Sequence, residues 1–281
     1  MRTQNRIMKM KIIDFDARFF EFARKWVAAH PGLTEAQVEN SYNSMMEEWI
    51  NAPADWLEGA SPATYFQRYE RPEELIELMQ GYFDKKVNLP EPLYARIVER
   101  GADCAPLLRK LVADENQSEE LRAEAMGMLR DIGDKDADAL LISMVVGAEE
   151  QSELSDLAAD VLSGRDAATA QKLLDAYPGA PEHAQTLILD VCCNFPGDAR
   201  ICDYLIRRLK NMPEQRALNA SLLAKLGDNR ALEPLKEMLN LFDLRYLDYI
   251  ELRDAVEALG GDAGEDRSFY GDPDFEALRN L

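Results

Sequence analysis

LRAEAMGMLRDIGDKDADALLISMV, residues 121–145, decides the fold. Its first half places apolar residues at Leu121, Ala125, Met126 and Leu129, the three- and four-residue steps of one helix face. Gly133 then breaks the pattern, Asp134 restarts the chain, and Ala137, Leu140 and Leu141 open a second apolar stripe. Glycine tolerates left-handed backbone just past a helix end, and aspartate caps the helix that follows. Gly-Asp therefore reads as a joint between two helices. The alternate aspartates Asp134, Asp136 and Asp138 also invite comparison with a calcium loop. An EF-hand loop begun at Asp134 would need glycine at its sixth place and glutamate at its twelfth, where Ala139 and Val145 stand. The aspartates are expected to be helix punctuation.

The phrase recurs. "LSDLAADVL" from Leu154, "LILDVCCNF" from Leu187, "LNASLLAKL" from Leu218 and "LRDAVEALG" from Leu252 align with it, their leading leucines 33, 33, 31 and 34 residues apart. "LPEPLYARI", Leu89 to Ile97, fits one step earlier. Each segment is followed by a glycine: Gly101, Gly133, Gly164, Gly197, Gly227 or Gly260. A fixed period of thirty-odd residues with helical patterning on both sides of each joint means repeated helical hairpins. The spacing predicts six of them. Their first helices start near Pro72, Asp103, Asp134, Asp166, Asp198 and Asp228, and their second near Pro90, Ser118, Ser152, Pro181, Pro213 and Asp243.

"LRAEAMGMLRDIGDKDADALLISMV", "LRDAVEALGG" and "LNASLLAKLGDNRALEPLKEML" resemble HEAT repeats, particularly the short bacterial variety of the phycobilisome lyases. The likeness spans roughly residues 72–260 and includes Pro106 and Pro234 in first helices. It implies an all-α solenoid and says little about activity. The family's arginine in the second helix is matched by Arg122 and Arg253, while Ser155, Ile188 and Asn219 replace it elsewhere. The di-iron hydroxylases of HEAT type need several His-Glu pairs, which two histidines, His30 and His183, cannot supply. The HEAT-like DNA glycosylases need a basic concave face.

Residues 1–71 do not repeat. Phe15, Phe19, Phe22 and Trp26 form one helical stripe; Thr34 with Gln37 makes a capping box before Val38, Tyr42, Met45 and Trp49. These predict an N-terminal helical region packed on the first hairpin. The loop "WINAPADWLEGASP" resembles the Trp-Pro-Gly-Pro loop of some antitoxin domains, which would imply a DNA-linked regulator. At the other end, Asp272 and Pro273 start a short helix whose Phe275, Leu278 and Leu281 cap the stack, so 261–281 is a tail.

Charge narrows the partners. Of 281 residues, 52 are acidic and 32 basic, a net charge of −20, and residues 89–281 carry −17 of it. Nucleic-acid binding depends on cationic side chains releasing counterions, so nucleic acid is excluded as a partner, and anionic lipid surfaces with it. The basic opening "MRTQNRIMKMK" runs into acids without a cleavage-type site, so no secretory signal is read and the expected location is the cytoplasm, that of a bacterium by the resemblance. The four cysteines, Cys104, Cys192, Cys193 and Cys202, lack the C-x-x-C spacing of zinc sites and are expected to be reduced, small apolar residues. No nucleotide, hydrolase or metalloprotease motif occurs, so no catalytic residue, cofactor or metal ligand is assigned.

Helical angles give one candidate site. Counted from each leading leucine, positions 0, 4, 5 and 8 span the apolar side, and positions 2, 3 and 6 face away. That outward strip reads Ala123, Glu124, Gly127; Asp156, Leu157, Asp160; Leu189, Asp190, Cys193; Ala220, Ser221, Ala224. Second helices usually line the concave side of a solenoid. The expectation is a non-catalytic scaffold whose groove receives a protein helix or peptide with basic flanks, drawn by Asp156, Asp160 and Asp190. The alternative is a lyase-like enzyme or accessory protein holding a small molecule in the groove.

Overall fold

The computed structural model describes residues 11–279, so the basic N-terminal stretch and the role of Leu281 in the cap lie outside the described residues. The chain is all-α: sixteen α-helices and several 3-10 turns, with no strand among the described residues. The described residues divide into two compact units, one up to Ala137 and one from Asp138 on. No helix among the described residues is long and apolar enough to cross a membrane.

The first unit holds α1 (Phe15–Ala29), α2 (Glu35–Asn40), α3 (Tyr42–Asn51), α4 (Pro72–Asp84), α5 (Glu91–Glu99), α6 (Gly101–Ala113) and α7 (Glu119–Ile132). The capping box forms in full, with Thr34 and Gln37 exchanging side-chain-to-backbone bonds at the start of α2. Phe15 sits at the centre of an aromatic core, its ring 5.5 to 6.3 Å from those of Trp49, Trp56, Tyr65 and Phe66. The loop between α3 and α4 is folded into this core through Leu57 and Phe66, both buried. The Tyr82 hydroxyl donates to Ile13 O at 3.1 Å, docking the N-terminal helical region on α4. The four remaining helices form two hairpins, α4–α5 and α6–α7, with α4 beside α6 and α5 beside α7. Two layers of like helices, side by side, are what a stacked repeat produces.

The second unit continues with α8 (Asp138–Val146), α9 (Glu153–Ser163), α10 (Ala167–Ala176), α11 (Glu182–Cys192), α12 (Ala199–Asn211), α13 (Arg216–Leu226), α14 (Leu232–Leu239), α15 (Tyr246–Ala258) and α16 (Pro273–Arg279). Here α8, α10, α12 and α14 are first helices and α9, α11, α13 and α15 second helices; α9 lies against α11 and α13 against α15. Within each unit the order is solenoid-like. The predicted starts hold: Ser118, Ser152, Asp166, Asp198 and Asp228 all accept a backbone N–H two or three residues on. Gly133 and Gly227 take left-handed φ of 73° and 71° after their helices, as the Gly-Asp reading requires. Gly101 does not. It is the buried first residue of α6, where an added Cβ would lie 3.3 Å from Ile132 Cγ2. Close packing of α6 on α7, not a turn, explains that glycine.

Sequences of the form Gly-Asp-X-Arg at 197–200 and 227–230 build a repeated staple between first helices. Asp198 accepts the Arg200 backbone N–H and also holds its guanidinium, which reaches back to Asp175 on α10 at 2.9 Å. Thirty residues later Asp228 and Arg230 repeat the arrangement, with Asp203 on α12 again 2.9 Å away. Nearer the middle of the chain Arg109 binds Asp134 at 2.7 Å in the first unit, and Arg165 binds Asp138 at 2.9 Å in the second. With Asp136 3.5 Å from Arg109, all three aspartates that imitate a calcium loop are guanidinium partners. At the end of the array, Asp272 caps α16 by accepting from Asp274 N and Phe275 N. Tyr246 packs on Phe269 and Phe275, closing this end with aromatic rings.

Candidate functional site

The strip of positions 2, 3 and 6 is narrower than helical angles imply. Leu189 and Ala220 are fully buried and Cys193 is 3% exposed. Conversely, the leading leucine of α13, Leu218, is 44% exposed. The buried arc of α11 runs through Ile188, Leu189, Val191 and Cys192, and that of α13 through Asn219, Ala220, Leu222 and Leu223. Both helices are turned by about one residue relative to α7 and α9, whose leading Leu121 and Leu154 are buried. At the end of α11 the Cys193 thiol donates to Leu222 O on α13 at 3.4 Å, so position 6 of α11 lies against the next second helix. A face that abuts the next repeat cannot also face solvent.

What remains on the outside of α9 and α11 includes the three acids. Asp160 is exposed, one turn along α9 from Asp156. Asp156 Oδ1 stands 3.8 Å from His183 Nε2 in the first turn of α11. Asp190 is bound by Lys225 of α13, whose ammonium lies 2.8 Å from its carboxylate and 3.1 Å from its carbonyl oxygen. The structure brings all three onto adjacent second helices, but Asp190 already has a cationic partner. Its attraction for an incoming base is correspondingly reduced.

In the first unit the equivalent strip carries Glu124. Burial raises its carboxyl pKa, and the charges of Glu91 and Asp131 raise it further. Asp131 is lowered instead, chiefly because the Tyr94 hydroxyl donates to it at 2.5 Å. The two neighbouring acids of this face are thus shifted in opposite directions, one by burial and the other by a donated hydrogen bond.

Burial also determines the chemistry of the thiols. Desolvation pushes Cys192 and Cys193 up to about 12, and Cys104 and Cys202 up to about 11. A thiol is nucleophilic as thiolate, so none of the four is poised to react. They pack as apolar side chains. His30 ends α1 with its ring stacked on Trp26, centroids 4.0 Å apart.

A polar centre that the sequence reading misses lies around Arg208. This arginine is 4% exposed, and its guanidinium donates to Thr186 Oγ1 at 2.7 Å, Gln215 Oε1 at 2.5 Å, Gln185 Oε1 at 3.2 Å and Asn219 Oδ1 at 3.4 Å. Burial raises the Tyr177 hydroxyl, an effect that the adjacent Arg208 charge and hydrogen bond oppose. α11, α12 and α13 are thereby joined through one side chain. Every acceptor is neutral. The signal was present: Ile201, Leu205, Arg208 and Leu209 share the spacing of a buried helix stripe, with an arginine inside it.

Compared with protein-family models the chain matches none, and no curated protein matches it.

Proposed function

We propose that this protein is a non-catalytic scaffold of HEAT-like repeats that holds a partner helix or peptide on the second-helix face of the second unit. The observation that carries this reading is the side-by-side packing of α9 and α11 with Asp156, Asp160 and Asp190 on the side left uncovered. Such a surface recognises a segment lying across several helices, and its carboxylates favour basic flanks. All three carboxylates contribute to the attraction, with Asp190 also held by Lys225. The high charge density supports a protein partner over nucleic acid, in a bacterial cytoplasm. A lyase-like protein holding a small molecule on the same face is the alternative.

The test compares proteins recovered by affinity purification from the native host with the wild-type chain and with Asp156→Lys/Asp160→Lys, its fold checked by circular dichroism. A specific protein lost from the variant supports the scaffold. Identical recovery removes the partner face from α9.

A further inference from the structure

Two adjacent arginines of the second unit stand apart from its ion pairs, as does Arg267, which is held by the carbonyl oxygens of Leu239 and Leu241. Arg165, Arg200, Arg230, Arg245 and Arg253 are each paired with a carboxylate. Arg208 donates to four neutral oxygens, and neighbouring Arg207 lies over the Tyr204 ring, 5.8 Å from its centroid. Neither has a carboxylate partner among the described residues. The nearest acid linked to the network is Glu182, which accepts from Gln215 at 2.7 Å and is thus one residue removed from the guanidinium.

Both arginines line a cavity of about 380 Å³ beside the turn from α10 to α11, together with Tyr177, Gln185, Tyr204 and Asn211. We propose that this cavity binds a small organic anion, a carboxylate or phosphate monoester on a flat frame, with Arg207 and Arg208 facing the anion and Tyr204 beside the frame. Neutral dipoles offset only part of the cost of burying a cation, so an anion in the cavity completes a pair the protein itself leaves open. Guanidinium is also the side chain best matched to planar carboxylate and to phosphate oxygens. Tyr177 and Tyr204 are already stacked, centroids 4.1 Å apart, giving the site a flat wall. The volume falls within the roughly 300–1,000 Å³ of small-molecule sites. Size follows from charge as well: a net −20 repels a polyanion, whereas a single small anion meets mainly the local field. The site uses none of the residues of the proposed partner face, so the two readings stand or fall separately.

The experiment is calorimetric titration of the full chain with phenyl phosphate, with benzoate, and with benzyl alcohol as the uncharged frame. One anionic probe is expected to bind saturably, at least about tenfold tighter than benzyl alcohol, and to bind about tenfold more weakly to Arg207→Gln. Which anion wins distinguishes phosphate from carboxylate. Arg207 is exposed, so its replacement leaves the fold intact; Arg208→Gln is read alongside, with circular dichroism as the control. No saturable binding of either anion below about 10 mM overturns the proposal. So does binding that Arg207→Gln leaves unchanged, or equal binding of benzyl alcohol.

Discussion

Arg200 and Arg208 lie eight residues apart on α12 and occupy opposite environments. Arg200, at the hairpin junction, is held by the carboxylates of Asp198 and Asp175 and keeps 40% of its side chain in water. Arg208, inside the array, is almost fully buried and held only by amides and hydroxyls. The ion pairs that look strongest on paper sit where water and salt screen them most. The interior bonds, individually neutral, sit where an unmade bond costs the most. Cohesion between repeats should therefore follow burial, not formal charge.

The sharpest way to break this comparison is Arg208→Ala. It leaves Gln185, Thr186, Gln215 and Asn219 without their donor, and urea unfolding should show a loss of about 3 kcal/mol. A loss below about 1 kcal/mol would mean that water enters and replaces the guanidinium. Arg165 is intermediate, paired with Asp138 but with side chains only 9% and 14% exposed. Arg165→Ala should cost about 2 kcal/mol in the same assay.

The junction staples give the smallest effect and a distinctive pH signature. Their hydrogen bonds from Arg200 and Arg230 hold Asp198 and Asp228 below the usual carboxylate range. A carboxyl whose pKa is lowered on folding adds stability above the unfolded value, near about 4, and loses it as pH falls through the folded value. Asp228→Asn keeps the helix cap but removes the charge. The gap between wild type and variant, measured as urea midpoints, should be small at pH 7 and close in acid. A gap independent of pH would assign the effect to capping alone.

The helices were legible because their ends carry their own chemistry. Ser118, Ser152, Asp166, Asp198 and Asp228 cap where the spacing places them, and Thr34 with Gln37 forms both halves of its box. Helix rotation was not legible. "LILDVCC" is apolar at six of seven places, so no polar edge fixes its phase, and in α13 the polar Asn219 is buried while the leading Leu218 is exposed. Arg208 was hidden for a related reason. A lone charged letter reads as solvent-facing even inside an apolar stripe, and its partners, spread over residues 185 to 219, are what identify it as a buried polar centre. The acids at positions 156, 160 and 190 were legible as neighbours; that Lys225 offsets one of them depends on how α13 lies on α11.

The thirty-residue offset between the two Gly-Asp-X-Arg staples bears on how such a chain changes length over evolution. Excision of residues 198–227 would bring Arg230 into the place of Arg200, opposite Asp175; tandem duplication of the same segment would give every copy an aspartate upstream and an arginine downstream. The joint is compatible with its own copies. A gene that gains or loses one such segment inherits a connector that already fits, while the Arg208 centre draws Gln185 and Thr186 from the preceding hairpin and so is not carried whole by the segment.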